Sequence, residues 1–463
     1  MTPDLYPDQV EFVDEIARRM RTSKSILAQA PTGFGKTRVA CNMMNRVRLK
    51  GKRAGFVVPR GVLLDQTAQS LNDFGVPYGY FAAGYAPNPF EKIQLISGPT
   101  LARRLDKAPK LDVVFFDETR FGGADLDRCI SHYRAAGSWV VGLDATPIKM
   151  NGKPMGDWYD DMVLGPEISW LMENDRLSKY RMFAPDTPDL SSLRVGKGDY
   201  VQKDIDSFMM SDEFGKVLIG NGAAHYKKNA MGKLNVSFCT SVANAEMAAQ
   251  SFNDAGIPSA CVHGKMDKAE LKRIVMAFAR RDILNLTCAL LLEFGWDLSQ
   301  ASGMDVTVES MNDFCPTKSL PRIMQRWGRG LRYKPYPALI HDHVGNTLLH
   351  GLPDDKRDWS LEGRQKRKRD GSEQTQPVRQ CPNCFFVHRP TPDCPACGFT
   401  YPIQNRTIEE IEGELAEITE RREKKEARMN QGRAQTLVQL MAMGKSRGNA
   451  MHILRARQAK AGR

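Results

Sequence analysis

Short apolar runs alternate along this chain with longer segments whose apolar residues recur at helical spacing. "SILAQ" leads through a Pro/Gly turn into "TRVACNMM", and "KLNVSFC" is followed by a helical pattern that stops at "NDAG" and by the apolar "SACV". The second stretch reads strand, helix, strand, which is a βαβ unit. The pattern therefore predicts an α/β fold.

Length, hydropathy and charge narrow this picture. The chain has 463 residues, which is too long for one core and predicts several domains. It is 41% hydrophobic, yet no apolar run approaches the roughly 20 residues of a membrane-spanning helix, and its start does not resemble a secretory signal. We therefore expect a soluble, cytoplasmic protein with no membrane partner. A net charge of +12 favours a polyanionic partner, usually nucleic acid.

The turn after the first apolar run, "APTGFGKT", has the composition of a phosphate-binding loop in which Ala30 replaces the usual first glycine. Its glycines let backbone N–H groups converge on phosphate, Lys36 would reach the β- and γ-phosphates, and the Thr37 hydroxyl would bind Mg²⁺. A plain helix N-terminus is the alternative. The residues expected to bind ATP here are Thr32, Gly33, Gly35, Lys36 and Thr37.

An acidic pair follows another buried run. Val113 to Phe116 deliver Asp117 and Glu118 to a strand's carboxyl end, where ligands bind in open α/β sheets. Asp117 would hold Mg²⁺ and Glu118 would activate the attacking water. The alternative is a solvated acidic loop.

Together these residues resemble superfamily 2 helicases, from about Leu5 to Gly351. "LYPDQ" is similar to that family's adenine-reading segment, which makes Gln9 the adenine contact. "GFVVPRGVLLDQT", "ISGPTLARR", "VVGLDATP" and "LNLTCALLLEFGWDLS" resemble motifs Ia, Ib, III and V. The resemblance gives Ala145 and Thr146 candidate roles in motif III. It also implies nucleotide contacts from Gly295 and Asp297, beside Glu293, and nucleic-acid contacts from Pro59, Arg60, Thr100, Thr240 and His263.

The resemblance implies two RecA-like lobes, each a parallel sheet flanked by helices, with ATP between them. A stretch rich in Pro, Gly, Ser and Asp, residues 184–200, is typical of a connector. The predicted domains are a first lobe at residues 1–183, a linker at 184–215, a second lobe at 216–352, a basic linker at 353–378, a zinc ribbon at 379–402 and a charged helical tail at 403–463.

"PRIMQRWGRGLRYKP" resembles motif VI of the same family. Gln325, Arg329 and Arg332 are separated by four and three residues, so all three would share one face of a helix. The two arginines could then act as fingers that stabilise charge on the γ-phosphate. A solvated basic helix face is the alternative.

Two positions depart from the family pattern. Arg120 follows the acidic pair, and Asp144 precedes Ala-Thr in motif III. A reversed-charge Asp144–Arg120 pair could replace the family's relay between nucleotide and nucleic acid. The absence of "DEAD" and "SAT" favours DNA over RNA as the substrate.

The ten cysteines fall into two groups. Six are scattered among apolar neighbours, as reduced core thiols would be. The other four form two CxxC pairs in "CPNCFFVHRPTPDCPACGFTY", which resembles a zinc ribbon. The predicted Zn²⁺ ligands are Cys381, Cys384, Cys394 and Cys397.

The remaining segments are polar or amphipathic. "KRKR" at 366–369 lies in the basic linker, Thr407 and Glu410 form a capping-box pattern, and two amphipathic segments follow "NQG". These could bind DNA or a protein partner, or form a structural helical hairpin. We expect an ATP- and Mg²⁺-dependent helicase or translocase on single-stranded, forked or branched DNA, in replication, recombination or repair. A duplex translocase without strand separation and an ATP-switched DNA-binding adaptor remain alternatives.

Overall fold

The computed structural model describes residues 5–149, 153–185, 187–196, 198–211, 214–289, 298–362, 377–402, 436–443 and 447–461. The chain divides into two compact units, Met1–Phe399 and Thr400–Arg463. In the described parts of the chain, no helix has both the length and the apolar composition that crossing a membrane requires.

The first lobe is built on a seven-stranded parallel sheet. Its strands are β1 (Ser25–Gln29), β2 (Ala54–Val58), β3 (Gly79–Phe81), β4 (Ile93–Ser97), β5 (Val113–Asp117), β6 (Trp139–Asp144) and β7 (Asp161–Leu164). Their spatial order is β3-β4-β2-β5-β6-β1-β7. Its helices are α1 (Pro7–Arg19), α2 (Lys36–Leu49), α3 (Val62–Asp73), α4 (Gly98–Arg103), α5 (Ala124–Ala135) and α6 (Ile168–Glu173).

Helices cover both faces of this sheet, which explains why its strands are continuous apolar runs rather than alternating ones. Phe56 and Phe115 pack into the core on one face, while Val57 and Phe116 pack into the core on the other. Because all strands are parallel, β1, β5 and β6 end at one edge. The phosphate loop, Asp117 and Asp144 are therefore brought together there.

The second lobe has a six-stranded parallel sheet in the order β12-β13-β11-β14-β15-β8, with a small hairpin of β9 and β10 beside it. The strands are β8 (Tyr180–Phe183), β9 (Val195–Gly196), β10 (Asp199–Tyr200), β11 (Asn235–Cys239), β12 (Ser259–Val262), β13 (Asn285–Ala289), β14 (Ser310–Asp313) and β15 (Ala338–Asp342). The helices are α7 (Gln202–Met209), α8 (Gly215–Ala230), α9 (Val242–Asp254), α10 (Lys268–Ala279), α11 (Leu298–Ser302), α12 (Leu320–Gly330) and α13 (Asn346–His350). The prediction of two RecA-like lobes is confirmed.

Two segments lie elsewhere than the sequence indicated. Residues 180–183, predicted to end the first lobe, form β8 and pair with β15 of the second sheet. The Pro/Gly-rich stretch after β8 therefore contains an insertion rather than the lobe boundary. Residues 353–362, predicted as basic linker, return to the first lobe, where the Leu361 carbonyl accepts hydrogen bonds from Met155 and Gly156, each 2.9 Å long. The other boundaries stay predictions.

The ribbon forms an antiparallel pair, β16 (Arg379–Gln380) and β17 (Val387–His388), against the edge strand β8. The Ala184 N–H donates to the Phe385 carbonyl at 2.9 Å, and the Phe386 ring lies 5.6 Å from that of Phe183.

The second unit contains α14 (Leu437–Ala442) and α15 (Arg447–Ala461), which bury Leu440 against Ala450. This is the predicted helical pair. Thr407, Glu410 and the basic run at 366–369 lie outside the described residues.

Candidate nucleotide-binding site

The loop between β1 and α2 has the backbone of a phosphate cradle. Gly33 and Gly35 have φ angles of 91° and 94°, which only glycine adopts without strain. The Lys36 ammonium donates hydrogen bonds to the backbone carbonyls of Ala30 and Pro31 in the same loop, at 3.0 and 3.2 Å. Burial lowers the pKa of Lys36, because the charged ammonium loses its hydration there. A phosphate group would bind this ammonium more strongly than two neutral carbonyls do, because it carries negative charge. Thr37 follows in the first turn of α2.

Gln9 fastens this loop to the first helix. Its side-chain amide donates to the Phe34 carbonyl at 2.7 Å and accepts from the Tyr6 N–H at 3.1 Å. Beside it, the Arg176 guanidinium lies 3.4 Å from the centre of the Tyr6 ring and forms an ion pair with Asp8. Sequence reasoning missed Arg176, because nothing in its local pattern distinguishes it from a surface arginine.

Asp117 and Glu118 lie at the end of β5, as predicted from the apolar run before them. Glu118 adopts a left-handed backbone, with φ of 51°, a conformation that costs roughly 1–3 kcal/mol and concentrates at functional sites. Desolvation and the neighbouring Glu118 raise the pKa of Asp117 to about 7. A divalent cation would remove that penalty, so the Asp117 carboxylate fits a Mg²⁺ site, at which the Thr37 hydroxyl would be the second expected ligand.

Arg120 lies between two carboxylates in the interior. It forms ion pairs with Glu118 and Asp144, and its side chain is only 1% exposed. Asp144 also accepts from the N–H groups of Arg120 and Thr146, at 2.7 and 3.0 Å. Burial alone would raise the pKa of Glu118, but the Arg120 and Lys36 charges outweigh it and lower that pKa. The Asp144–Arg120 contact considered from the sequence is present.

Helix α12 of the second lobe contacts Glu118 and the phosphate loop. The Gln325 amide donates to the Glu118 carboxylate at 3.0 Å and accepts from the Thr32 hydroxyl at 3.0 Å. Arg329 is buried, and its charge also lowers the pKa of Glu118. Arg332 lies beyond the last helical residue, Gly330, rather than on the helix itself.

A cavity of about 270 Å³ adjoins the loop on this side, between the lobes. It is lined by Thr32 and Ala145 of the first lobe, by Trp327 of α12 and by Trp359 of residues 353–362, the returning segment. Because Trp359 lies past the helicase-like region, its presence here was not predicted.

The candidate nucleic-acid contacts all follow carboxyl ends of strands. Pro59 and Arg60 come after β2, Thr100 after β4, Thr240 after β11 and His263 after β12. Arg60 is exposed and His263 half-buried, whereas the two threonines are buried. Glu293, Gly295 and Asp297 lie outside the described residues.

The four ribbon cysteines converge on one point, with their sulfurs all within 4.8 Å of one another. The Cys381 and Cys397 sulfurs are 3.6 Å apart, and those of Cys384 and Cys394 are 3.7 Å apart. Sulfurs at about 2.3 Å from a tetrahedral zinc ion would be about 3.8 Å apart, so the cluster fits Zn²⁺.

Comparison with known proteins agrees with this geometry. Residues 2–149 match the family described as "Type III restriction enzyme, res subunit", and residues 218–334 match "Helicase conserved C-terminal domain". A "51.5 kDa protein" of a Lactococcus phage (isolate 7-9) is 31% identical over 385 residues, which are 82% of this chain and 79% of that protein. The chain belongs to the superfamily 2 helicases, and it carries a C-terminal zinc ribbon.

Two solved structures share the fold. One is an ATP-dependent Type ISP restriction-modification enzyme, LlaBIII, bound to DNA, with a TM-score of 0.54, 14% identity and coverage of 74% of this chain. The other is the DUF1998 helicase MrfA bound to DNA, with a TM-score of 0.52, 14% identity and coverage of 73%. The matched regions are 28% and 49% of those two longer chains.

Proposed function

We propose that this protein is an ATP-dependent helicase or translocase that acts on DNA. The observation that supports it most strongly is the position of Gln325, which bonds at once to Thr32 of the phosphate loop and to Glu118. Side chains of both lobes therefore meet at one nucleotide site. ATP binding and hydrolysis there would change how the lobes contact each other, which is how a motor of this class converts chemistry into movement.

Each residue at the site has a proposed role. Lys36 binds the β- and γ-phosphates, and Thr37 and Asp117 hold Mg²⁺, which neutralises phosphate charge when bound. Glu118 accepts a proton from the attacking water, and its Arg120 partner keeps it ionised for that purpose. Arg329 and Arg332 stabilise the transition-state charge, and Gln325 orients Glu118. Gln9 contacts adenine, and Gly295 and Asp297 are proposed nucleotide contacts as well.

DNA is the proposed substrate because of charge and geometry. The net charge of +12 favours a polyanion, and accessible Arg60 and His263 follow strands at the carboxyl edges of the two sheets. Pro59, Thr100 and Thr240 line the same edges. The DNA-bound state of two proteins with this fold supports the same choice. Replication, recombination and repair are the processes in which such a motor would act.

The test measures ATP hydrolysis with single-stranded, forked, branched and duplex DNA and with RNA, alongside strand separation. Stimulation by DNA with separation of a fork supports a helicase. Stimulation by duplex without separation identifies the translocase alternative, and ATP-dependent DNA binding without turnover identifies the adaptor. Stimulation by RNA alone would contradict the proposed substrate.

A further inference from the structure

The connector between the lobes, residues 174–179, touches the nucleotide site with three consecutive side chains. Arg176 lies on the Tyr6 ring beside Gln9. Leu177 packs so closely on the phosphate loop that a Cβ added at Gly33 would come within 2.8 Å of it. Ser178 contacts the turn that follows α12. The connector therefore borders the site in three places: beside Gln9, the expected adenine contact; at the phosphate loop; and at the turn after α12 of the second lobe.

Ser178 holds the backbone of that turn at three points. Its hydroxyl donates to the Arg332 carbonyl at 2.8 Å and accepts from the Lys334 N–H at 2.9 Å. Its own N–H donates to the Leu331 carbonyl at 2.9 Å. Ser178 is buried, so water does not compete for these bonds.

The Lys334 side chain contacts the same turn. Its buried ammonium donates to the Gly330 carbonyl and, at 3.2 Å, to the Arg332 carbonyl. Carbonyls at a helix's carboxyl end lack intrahelical donors and carry partial negative charge, so an ammonium stabilises them. The Arg332 carbonyl thus receives hydrogen bonds from two side chains outside α12.

We propose that Ser178 and Lys334 are positioning residues for ATP hydrolysis, which fix the turn that carries Arg332. This inference rests on the proposed function and on the finger role of Arg332. Because a finger must place its guanidinium to within a fraction of an ångström of developing charge, a loosened turn lowers turnover while leaving ATP binding intact.

The experiment measures kcat and KM for ATP, with saturating DNA, in the full chain carrying Ser178→Ala. Ser169→Ala is the matched control, since Ser169 lies in α6 nine residues earlier and outside the turn contacts described above. Loss of the hydroxyl's hydrogen bonds to Arg332 and Lys334 predicts a kcat lower by at least about threefold, with KM changed by less than about twofold. Ser169→Ala is expected to match the wild type.

A double-mutant cycle distinguishes positioning from general destabilisation. In an Arg332→Ala background, Ser178→Ala is expected to lower kcat by no more than about twofold further, because the residue it positions is gone. Lys334→Met is measured in the same cycle, so that the test stands if Ser178→Ala fails to fold. Thermal unfolding of each variant identifies folded protein.

Multiplicative losses in the cycle, or a Ser178→Ala kcat equal to that of Ser169→Ala, would overturn the positioning roles while leaving the motor function intact. Full activity in Arg332→Ala would overturn them as well, since there would be no finger to position. A wild-type protein without DNA-stimulated hydrolysis would instead refute the proposed function itself, and the positioning roles with it.

Discussion

Arg120 is a charged side chain in the protein interior, with only 1% of its surface exposed. It is buried between Glu118 and Asp144, and its removal would leave two carboxylates without their cation. Breaking a buried pair by removing one partner costs about 3–5 kcal/mol, so Arg120→Gln should lower the free energy of unfolding by that order. Denaturant unfolding measures it.

A second substitution tests whether the unpaired carboxylates cause this loss of stability. Arg120→Gln combined with Asp144→Asn should destabilise by less than the sum of the two single changes, because each removes the other's unpaired charge. Arg128→Gln breaks an exposed pair with Asp125, whose side chains are 58% and 75% exposed, and should cost less than about 1 kcal/mol. Equal effects at Arg120 and Arg128 would show that the buried network does not stabilise the fold.

Lys36 is expected to matter for ATP hydrolysis rather than for the stability of the fold. Lys36→Ala should abolish ATP hydrolysis and leave the unfolding transition near that of the wild type, because it removes the charge that meets the phosphates. Lys52→Ala is the control, since Lys52 precedes β2 at the opposite edge of the sheet. Hydrolysis by Lys36→Ala at the wild-type rate would remove the basis for a phosphate-loop function.

Strands, helices and turns that depend on neighbouring residues were predicted well from the sequence. The β1–loop–α2 unit could be predicted because glycines, an apolar strand and a helical period occur together in sequence. The carboxyl-end position of Asp117 followed from its apolar run in the same way. The contact of Arg176 with Tyr6 could not be predicted, because it joins distant residues whose local patterns are unremarkable.

The boundary between the lobes was predicted too late for a related reason. Pro and Gly mark turns of every kind, and the turns near residues 184–200 belong to a hairpin inserted after the first strand of the second lobe. Likewise, the polar composition after residue 352 gave no indication that the partly buried Leu361 packs against the core of the first lobe. Such long-range packing leaves no local periodicity.

In the second lobe, His341 of β15 and His343 just after that strand are buried, and they stack with each other and with the half-buried His225 of α8. Burial, with His225 nearby, lowers the pKa of His341 to about 4, and burial lowers that of His343 further. The unfolded chain would take up protons near pH 6.5 while the folded chain would not. Stability should therefore be full above pH 6.5 and fall as the pH drops towards 4, by about 1.4 kcal/mol per pH unit for each histidine.

His341→Gln isolates this contribution. The variant's free energy of unfolding should decline less steeply between pH 6.5 and 4, by about 1.4 kcal/mol per pH unit. His132→Gln, on helix α5 of the first lobe, is the control and should keep the wild-type slope. Identical slopes in all three proteins would show that His341 titrates normally in the folded state.

For the whole molecule, the ribbon is joined to the motor lobes rather than separate from them. It pairs with β8, and Arg389 lies 3.3 Å from carboxylate oxygens of both Asp354 and Asp355 in the returning segment. Its four thiolates would form a closed shell around zinc. Metal analysis should find one zinc ion per chain.

Replacing Cys381 and Cys384 together by serine should remove that zinc and lower the unfolding temperature, because a structural metal contributes directly to folding. Cys261→Ser, in β12, should retain the metal. Purified wild-type protein without zinc would contradict the assignment.

ATP hydrolysis between the lobes is proposed to drive movement on DNA. The most direct test of this proposal is displacement of a labelled strand, either annealed in a fork or bound as a third strand on duplex DNA. Displacement is expected with ATP and Mg²⁺, and no displacement is expected with Lys36→Ala or with a non-hydrolysable ATP analogue. A wild-type protein that hydrolyses ATP but displaces neither kind of strand would contradict the proposal.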